Sequence, residues 1–185
     1  DYDQLTIEEQ INDTEKSRNL QKKFVANHCR IDETQIKFVD HHTCHAYYAY
    51  FASKKRNENC AVITLDSDGD GLNQTVWHFK NGKGERIRAT NQCDLGRIYK
   101  ITTLLLGMKP DEHEFKVMGM APYAKPEYVD IVYKDVYEDL LRVVDSVVLH
   151  NNRPADMYRY LEEKLKPYRF DNIAGAVQKL VEEVA

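Results

Sequence analysis

Over the first thirty positions, apolar residues recur at helical spacing among Glu, Lys, Arg and Gln: Leu5, Ile7, Ile11, Leu20, Phe24 and Val25. The pattern predicts a one-faced, largely solvated helix from Leu5 to Cys29. Ile36-Lys37-Phe38-Val39 is a short β-prone run, and the aromatic-rich stretch Thr43 to Ser53, free of Gly and Pro, predicts a buried helix. Cys60 to Leu65 (CAVITL) is a continuous apolar run rich in β-branched residues. It predicts a buried strand that stops at the turn-forming string Asp66 to Gly71. A hairpin follows, with Thr75 to Phe79 and Glu85 to Arg88 flanking Asn81-Gly82-Lys83-Gly84, where Asn-Gly is a strong turn signal. Leu95 to Met108, Tyr128 to Val148, Ala155 to Lys166 and Asp171 to Val184 carry helical patterns, and Pro110 marks a break after Gly107. The chain therefore reads as α/β, strand-rich over about 36–90 and helix-rich over about 94–185, with a mixed sheet, a hairpin and helices.

The 185 residues suit one domain with a real core, and 42% hydrophobic with 30% charged residues is an ordinary globular balance. No apolar run approaches the ~20 residues of a membrane span, so no membrane partner is expected. A net charge of -4 supplies no broad basic field. Nucleic acid is not an expected partner, and any anion must be caught locally. Cys29, Cys44, Cys60 and Cys93 are spread singly, as in reduced thiols of a cytoplasmic protein. The chain lacks an initiator Met and stops inside an amphipathic pattern at Val181 to Ala185, so it is expected to be a single-domain piece, residues 1–185, of something longer.

Candidate chemistry gathers in three stretches. His41 and His45 are four apart, so at the start of a helix both imidazoles point to one side, a chelating spacing, while His42 points elsewhere. Ordinary surface or capping chemistry would use the same spacing. The Glu that must follow the first His of a zincin HExxH is missing. Asp66-Ser67-Asp68-Gly69-Asp70-Gly71 places three carboxylates at alternate positions with two glycines. It is open to three readings: an acidic turn, a calcium loop that has Trp77 where the last bidentate Glu belongs, or a phosphate loop with Asp66 on a metal and Gly69 and Gly71 admitting close approach. The third stretch, Lys116 to Tyr123 behind Asp111, Glu112 and Glu114, is adequately explained as a helix ending at Gly119 with a Pro-stiffened exit. Tyr47, Tyr48 and Tyr50 read as core bulk with polar tips.

Together, Asp40-His41-His42-Thr43-Cys44-His45-Ala46, Thr64 to Gly71, and Glu114-Phe115-Lys116-Val117-Met118-Gly119-Met120-Ala121-Pro122-Tyr123 resemble the nodulation-type and antibiotic-pathway O-carbamoyltransferases, in the same order. Leu95-Gly96-Arg97-Ile98-Tyr99 is similar to the LGxxY segment between them, and Asp171 to Gln178 to a later helix. The resemblance runs from about Phe38 to Ala185. Ser67, Cys44, Met120 and Ala124 depart from the usual residues, and the register leaves Asp68 as an alternative to Asp66. The resemblance implies an actin-like ATPase fold of the ribonuclease H-like, sugar-kinase superfamily. It implies Fe(II) or another divalent metal on His41, His45 and Asp66, and nucleotide contacts from Asp68, Gly69, Asp70, Gly71, Lys116 and Gly119. It further implies ATP, carbamoyl phosphate and carbamoyl adenylate as ligands, a YrdC-like domain in the same full-length chain, and carbamoyl transfer to a small-molecule hydroxyl acceptor. His42, the histidine left free by its neighbours, is the candidate general base. The alternatives are a threonylcarbamoyl or hydrogenase-maturation type carbamoyl enzyme, and a non-catalytic calcium- or nucleotide-binding module.

Overall fold

The computed structural model describes residues 7–184, with side chains from residue 15. Leu5, where the pattern opens the first helix, lies outside these residues. Helix α1 spans Ile7–Cys29 and α2 spans His41–Ala52. Three strands follow, β1 (Cys60–Gly69), β2 (Leu72–Lys80) and β3 (Lys83–Thr90). They form an antiparallel sheet in the order β1-β2-β3. Both connections are two-residue turns with two left-handed residues, Asp70-Gly71 (φ 53° and 76°) and Asn81-Gly82 (φ 51° and 78°). That is the turn whose twist matches the flanking strands.

One sheet face is built from the cross-strand pairs Cys60–Phe79, Val62–Trp77 and Thr64–Thr75. Helix α2 covers it with His42, Ala46 and Tyr50, which recur every four residues and so share a face. The Tyr50 ring stacks on Phe79 at 4.4 Å, and Tyr47 meets Phe79 edge-on at 5.0 Å. Their hydroxyls accept the N–H groups of Gly82 (3.3 Å, Tyr50) and Gly84 (3.2 Å, Tyr47), which ties the far end of α2 to the β2–β3 turn. The bulk-with-polar-tip reading describes Tyr47 and Tyr50, whereas Tyr48 is 76% exposed.

The larger core lies among α3 (Leu95–Leu105), α4 (Glu114–Met120), α5 (Pro126–Val132), α6 (Met157–Leu165) and α7 (Phe170–Val184). Helix α7 buries Ile173, Ala174, Ala176, Val177 and Leu180 as one stripe. Between the two cores, the Val148 N–H donates to Gln74 Oε1 (2.7 Å) and the Cys93 N–H to Asn73 Oδ1 (2.9 Å).

The α/β class is as the pattern predicts, but in place of the expected mixed sheet the described residues form two antiparallel ones, and there are three local differences. Ile36 to Val39 is irregular, not a strand. A capped 3-10 turn at Glu33–Gln35 precedes it and the Asp40 cap of α2 follows at once, leaving Phe38 and Val39 exposed with no strand to pair with. Tyr128 to Val148 is not one helix. Helix α5 ends at Val132, a π-helical turn runs over Tyr133–Tyr137, and β4 (Leu141–Val144) pairs with β5 (Val147–His150) around Asp145-Ser146. The β-branched pairs Val143-Val144 and Val147-Val148 on either side of a two-residue turn outweigh the helical spacing. Finally, β1 is buried on alternate residues instead of throughout: Val62 and Thr64 face α2, while Ile63 is 48% exposed. The strand also runs on to Gly69, so the acidic string is strand followed by a two-residue turn.

Candidate metal centre

The register of β1 against β2 breaks between Leu65–Gln74 and Gly69–Leu72, so that Asp66, Ser67 and Asp68 face Asn73 alone. Such a bulge re-aims side chains. Here it delivers the Asp66 carboxylate to the first turn of α2. The Ser67 N–H donates to Asp66 Oδ1 at 2.7 Å, and Gly96, at the start of α3, packs against the bulge so closely that a Cβ there would lie 2.9 Å from Ser67 N.

His41 and His45 project from α2 onto this carboxylate. His41 Nε2 lies 2.6 Å from Asp66 Oδ2, His45 Nε2 lies 3.0 Å from His41 Nε2, and His45 Nε2 lies 3.4 Å from Asp66 Oδ2. Among the described residues these three form a cluster whose ligand atoms all lie within 4.8 Å of one another. One shared proton cannot serve all three contacts. A cation can, because neutral imidazoles and a carboxylate all present lone pairs at one point. Ligand atoms about 2.1 Å from a common ion stand roughly 3.0–3.4 Å apart; the two separations to His45 match this, while the 2.6 Å between His41 and Asp66 is that of a hydrogen bond, which a bound ion would replace. The backbone makes room for the arrangement: a Cβ at Gly69 would stand 2.1 Å from His41 Cδ2, so the His41 ring lies across a position that only glycine leaves open.

Burial opposes ionisation of Asp66. The His41 hydrogen bond, the Ser67 N–H and, when they are protonated, the charges of His41 and His45 outweigh it and hold the carboxyl below its ordinary range, in the ionised form a cation would need. The first turn of α2 is anchored on both sides. Asp40 accepts the Thr43 N–H at 2.9 Å as an N-cap, and Asp70 Oδ2 accepts the His41 N–H at 2.8 Å. Asp70 Oδ1 in turn accepts from Arg18 of α1 at 2.7 Å, and the Arg18 guanidinium stands over Phe38. With side chains 31–53% exposed, the cluster opens to solvent on one side.

The other sequence candidates fall elsewhere. His42 does not stand free as a base: it is fully buried, with Nδ1 2.7 Å from Thr64 Oγ1 and Nε2 2.9 Å from the Leu72 carbonyl. Both ring nitrogens are engaged beneath the helix, so His42 is not the free histidine that its place in the sequence suggests. Asp68 is exposed and lies outside the three-residue cluster, which favours Asp66 over Asp68 as the acid beside the histidines. Asp70 and Gly71 form the turn, and Asp70 serves the helix backbone. Lys116 and Gly119 lie exposed on α4; Lys116 Nζ stands over the Phe115 ring and makes no hydrogen bond or ion pair with the cluster. Sequence reasoning misses Arg18, Gly96 and the threonines beneath His42, whose parts depend on how distant elements meet. Only Gly96 leaves a signal, as the small residue of the LGxxY segment.

A bulged antiparallel hairpin facing a histidine-bearing helix makes this an α/β protein with a candidate metal site. Residues 6–185 match the family described as the carbamoyltransferase N-terminus, and the chain belongs to that family. It is 26% identical over 171 residues to an uncharacterized protein of Synechocystis sp., covering 83% of this chain and 27% of the relative. An uncharacterized protein of Methanocaldococcus jannaschii is 25% identical over 176 residues, covering 83% of this chain and 28% of that protein. The nodulation protein NolNO of Sinorhizobium fredii is 29% identical over 117 residues, covering 63% of this chain and 16% of that protein. The chain thus spans about a quarter of the length of the first two relatives. No helix among the described residues is long and apolar enough to cross a membrane.

Proposed function

We propose that this chain is the N-terminal part of a carbamoyltransferase of actin-like ATPase architecture that carries a divalent metal, iron(II) or a close relative, on His41, His45 and Asp66. The observation that carries the metal is the convergence of three lone-pair atoms beside Gly69. The carbamoyl chemistry rests on the family. The donor is a carbamoyl adenylate formed from carbamoyl phosphate and ATP, and the acceptor is a hydroxyl of a small molecule. The bond formed joins the acceptor oxygen to the carbamoyl carbon, the bond to AMP breaks with AMP leaving as the phosphate anion, and the acceptor's proton passes to solvent water. When bound, the cation supplies a Lewis acid for phosphate oxygen. The chain's own residues hold that site: the bulge aims Asp66, Asp70 and Asp40 fix the first turn of α2, and the solvent-facing side stays open for a nucleotide. A YrdC-like domain in the longer protein would make the adenylate, and a reducing cytoplasm suits the four free thiols.

The test uses the full-length protein. The double variant H41A/H45A, and separately D66N, should lose bound metal by elemental analysis and lose carbamoyl transfer by at least about a hundredfold. Undiminished transfer by the wild type in rigorously metal-free buffer would remove the metal from the reaction.

A further inference from the structure

Beneath the candidate metal helix runs a buried polar chain. His42 and Thr75 are fully buried, and Thr64 and Trp77 are each 6% exposed. Trp77 Nε1 lies 2.6 Å from Thr75 Oγ1, Thr75 Oγ1 lies 2.6 Å from Thr64 Oγ1, and Thr64 Oγ1 lies 2.7 Å from His42 Nδ1. The far ring nitrogen, His42 Nε2, lies 2.9 Å from the Leu72 carbonyl.

The direction of every bond follows from its two ends. An indole N–H only donates and a carbonyl oxygen only accepts. Trp77 therefore donates to Thr75, and His42 Nε2 carries a proton that it gives to Leu72. Nδ1 of the neutral ring is then an acceptor, so Thr64 donates to it and Thr75 donates to Thr64. Thr64 Oγ1 also accepts the Thr75 backbone N–H at 3.2 Å. Each donor is used once, and each acceptor in a direction it can support. The reverse polarity, with a proton on Nδ1, leaves the Thr75 hydroxyl proton without an acceptor among the described residues.

We propose that this chain locks α2 at one rotation about its axis and thereby sets the positions of His41 and His45, making His42 a positioning residue for the metal site. The inference rests on the metal reading above. Residues advance about 100° per step around a helix, so His41 lies roughly 100° to one side of His42 and His45 roughly 60° to the same side. Both ligands project from the flank that faces Asp66 only while His42 points straight down to the sheet. Without the Thr64 hydroxyl, Nε2 still gives its proton to Leu72 but Nδ1 keeps a buried lone pair with no donor, a cost the ring relieves by shifting and taking the first turn of α2 with it.

Long-range 1H–15N spectra of the metal-free full-length protein should show His42 with its proton on Nε2. T64V, which keeps the shape and removes the hydroxyl, should leave that proton on Nε2, lower Co²⁺ affinity about 10- to 100-fold and change the visible spectrum of the cobalt-loaded protein. T64S should restore affinity and spectrum. A wild-type proton on Nδ1, or a T64V protein with wild-type affinity and spectrum, overturns the proposal. Should T64V not fold, the wild-type tautomer decides. H41A separates the two ideas: if it binds Co²⁺ as the wild type does, the metal reading fails; if it loses Co²⁺ while T64V does not, only the positioning role falls.

Discussion

Glycines 69 and 71 stand two residues apart for different reasons, and substitution separates them. Gly71 has φ 76°, and a Cβ added there would meet nothing within 4 Å, so G71A strains only the turn and should cost about 1 kcal/mol of stability while leaving Co²⁺ binding unchanged. Gly69 lies outside the left-handed region, but its Cβ would collide with the His41 ring. G69A should therefore keep the β1–β2 hairpin by circular dichroism and lower Co²⁺ affinity about 10- to 100-fold in titration calorimetry. Equal affinity in G69A and wild type would mean that His41 does not bind metal in this pose. His41, His45 and Asp66 were legible because their signals are local: a four-residue step at a helix start and an acid after an apolar run. The work of Gly69, Asp70 and Arg18 was not, since each acts across the contact between two elements that the local pattern does not join. His42 misleads for the same reason. Its spacing separates it from the His41 and His45 pair, as the structure does, but only the sheet beneath shows that it is engaged.

At the scale of elements, all three hairpins close on two residues with positive φ. Asp70-Gly71 and Asn81-Gly82 advertise this with glycine; Asp145-Ser146 does not, and so β4 and β5 were hidden inside a helical pattern. Ser146 sits at φ 70°, where a side chain is disfavoured by roughly 1–2 kcal/mol. S146G should therefore raise stability by about 0.5–1 kcal/mol in urea unfolding, with the gain limited by the extra freedom of glycine in the unfolded chain. An unchanged or lowered midpoint would show that the Ser146 side chain has compensating contacts. The bulge in β1 was invisible for a related reason. An Asp-rich run reads as a loop when taken alone, and it becomes strand because Leu72 pairs with Gly69 across the turn.

At the scale of the whole molecule, the sheet layer and the helical core meet where β5 reaches the start of α3. Asp94, only 6% exposed as a side chain, accepts from Arg153 Nε at 2.8 Å. His150 Nε2 lies 2.8 Å from the same Oδ2 without the alignment of a hydrogen bond, and it finds no hydrogen-bond partner. Burial lowers the His150 pKa from its ordinary 6.5; Asp94 pulls it upward, while Arg153 and Arg97 press it further down, and the net shift is downward. The folded protein thus binds the His150 proton more weakly than the unfolded chain does. Above 6.5 neither state carries the proton and the full stability is present. As the pH falls below 6.5 toward the folded value, the unfolded state takes up the proton first, so stability drops with falling pH through that window. Thermal melts between about pH 7.5 and about 5.5 should show this decline in the wild type, and H150Q, which cannot take up the proton, should show a shallower one. A slope of equal size in H150Q would place the acid sensitivity elsewhere and leave the junction between the two cores electrostatically indifferent to pH in that range.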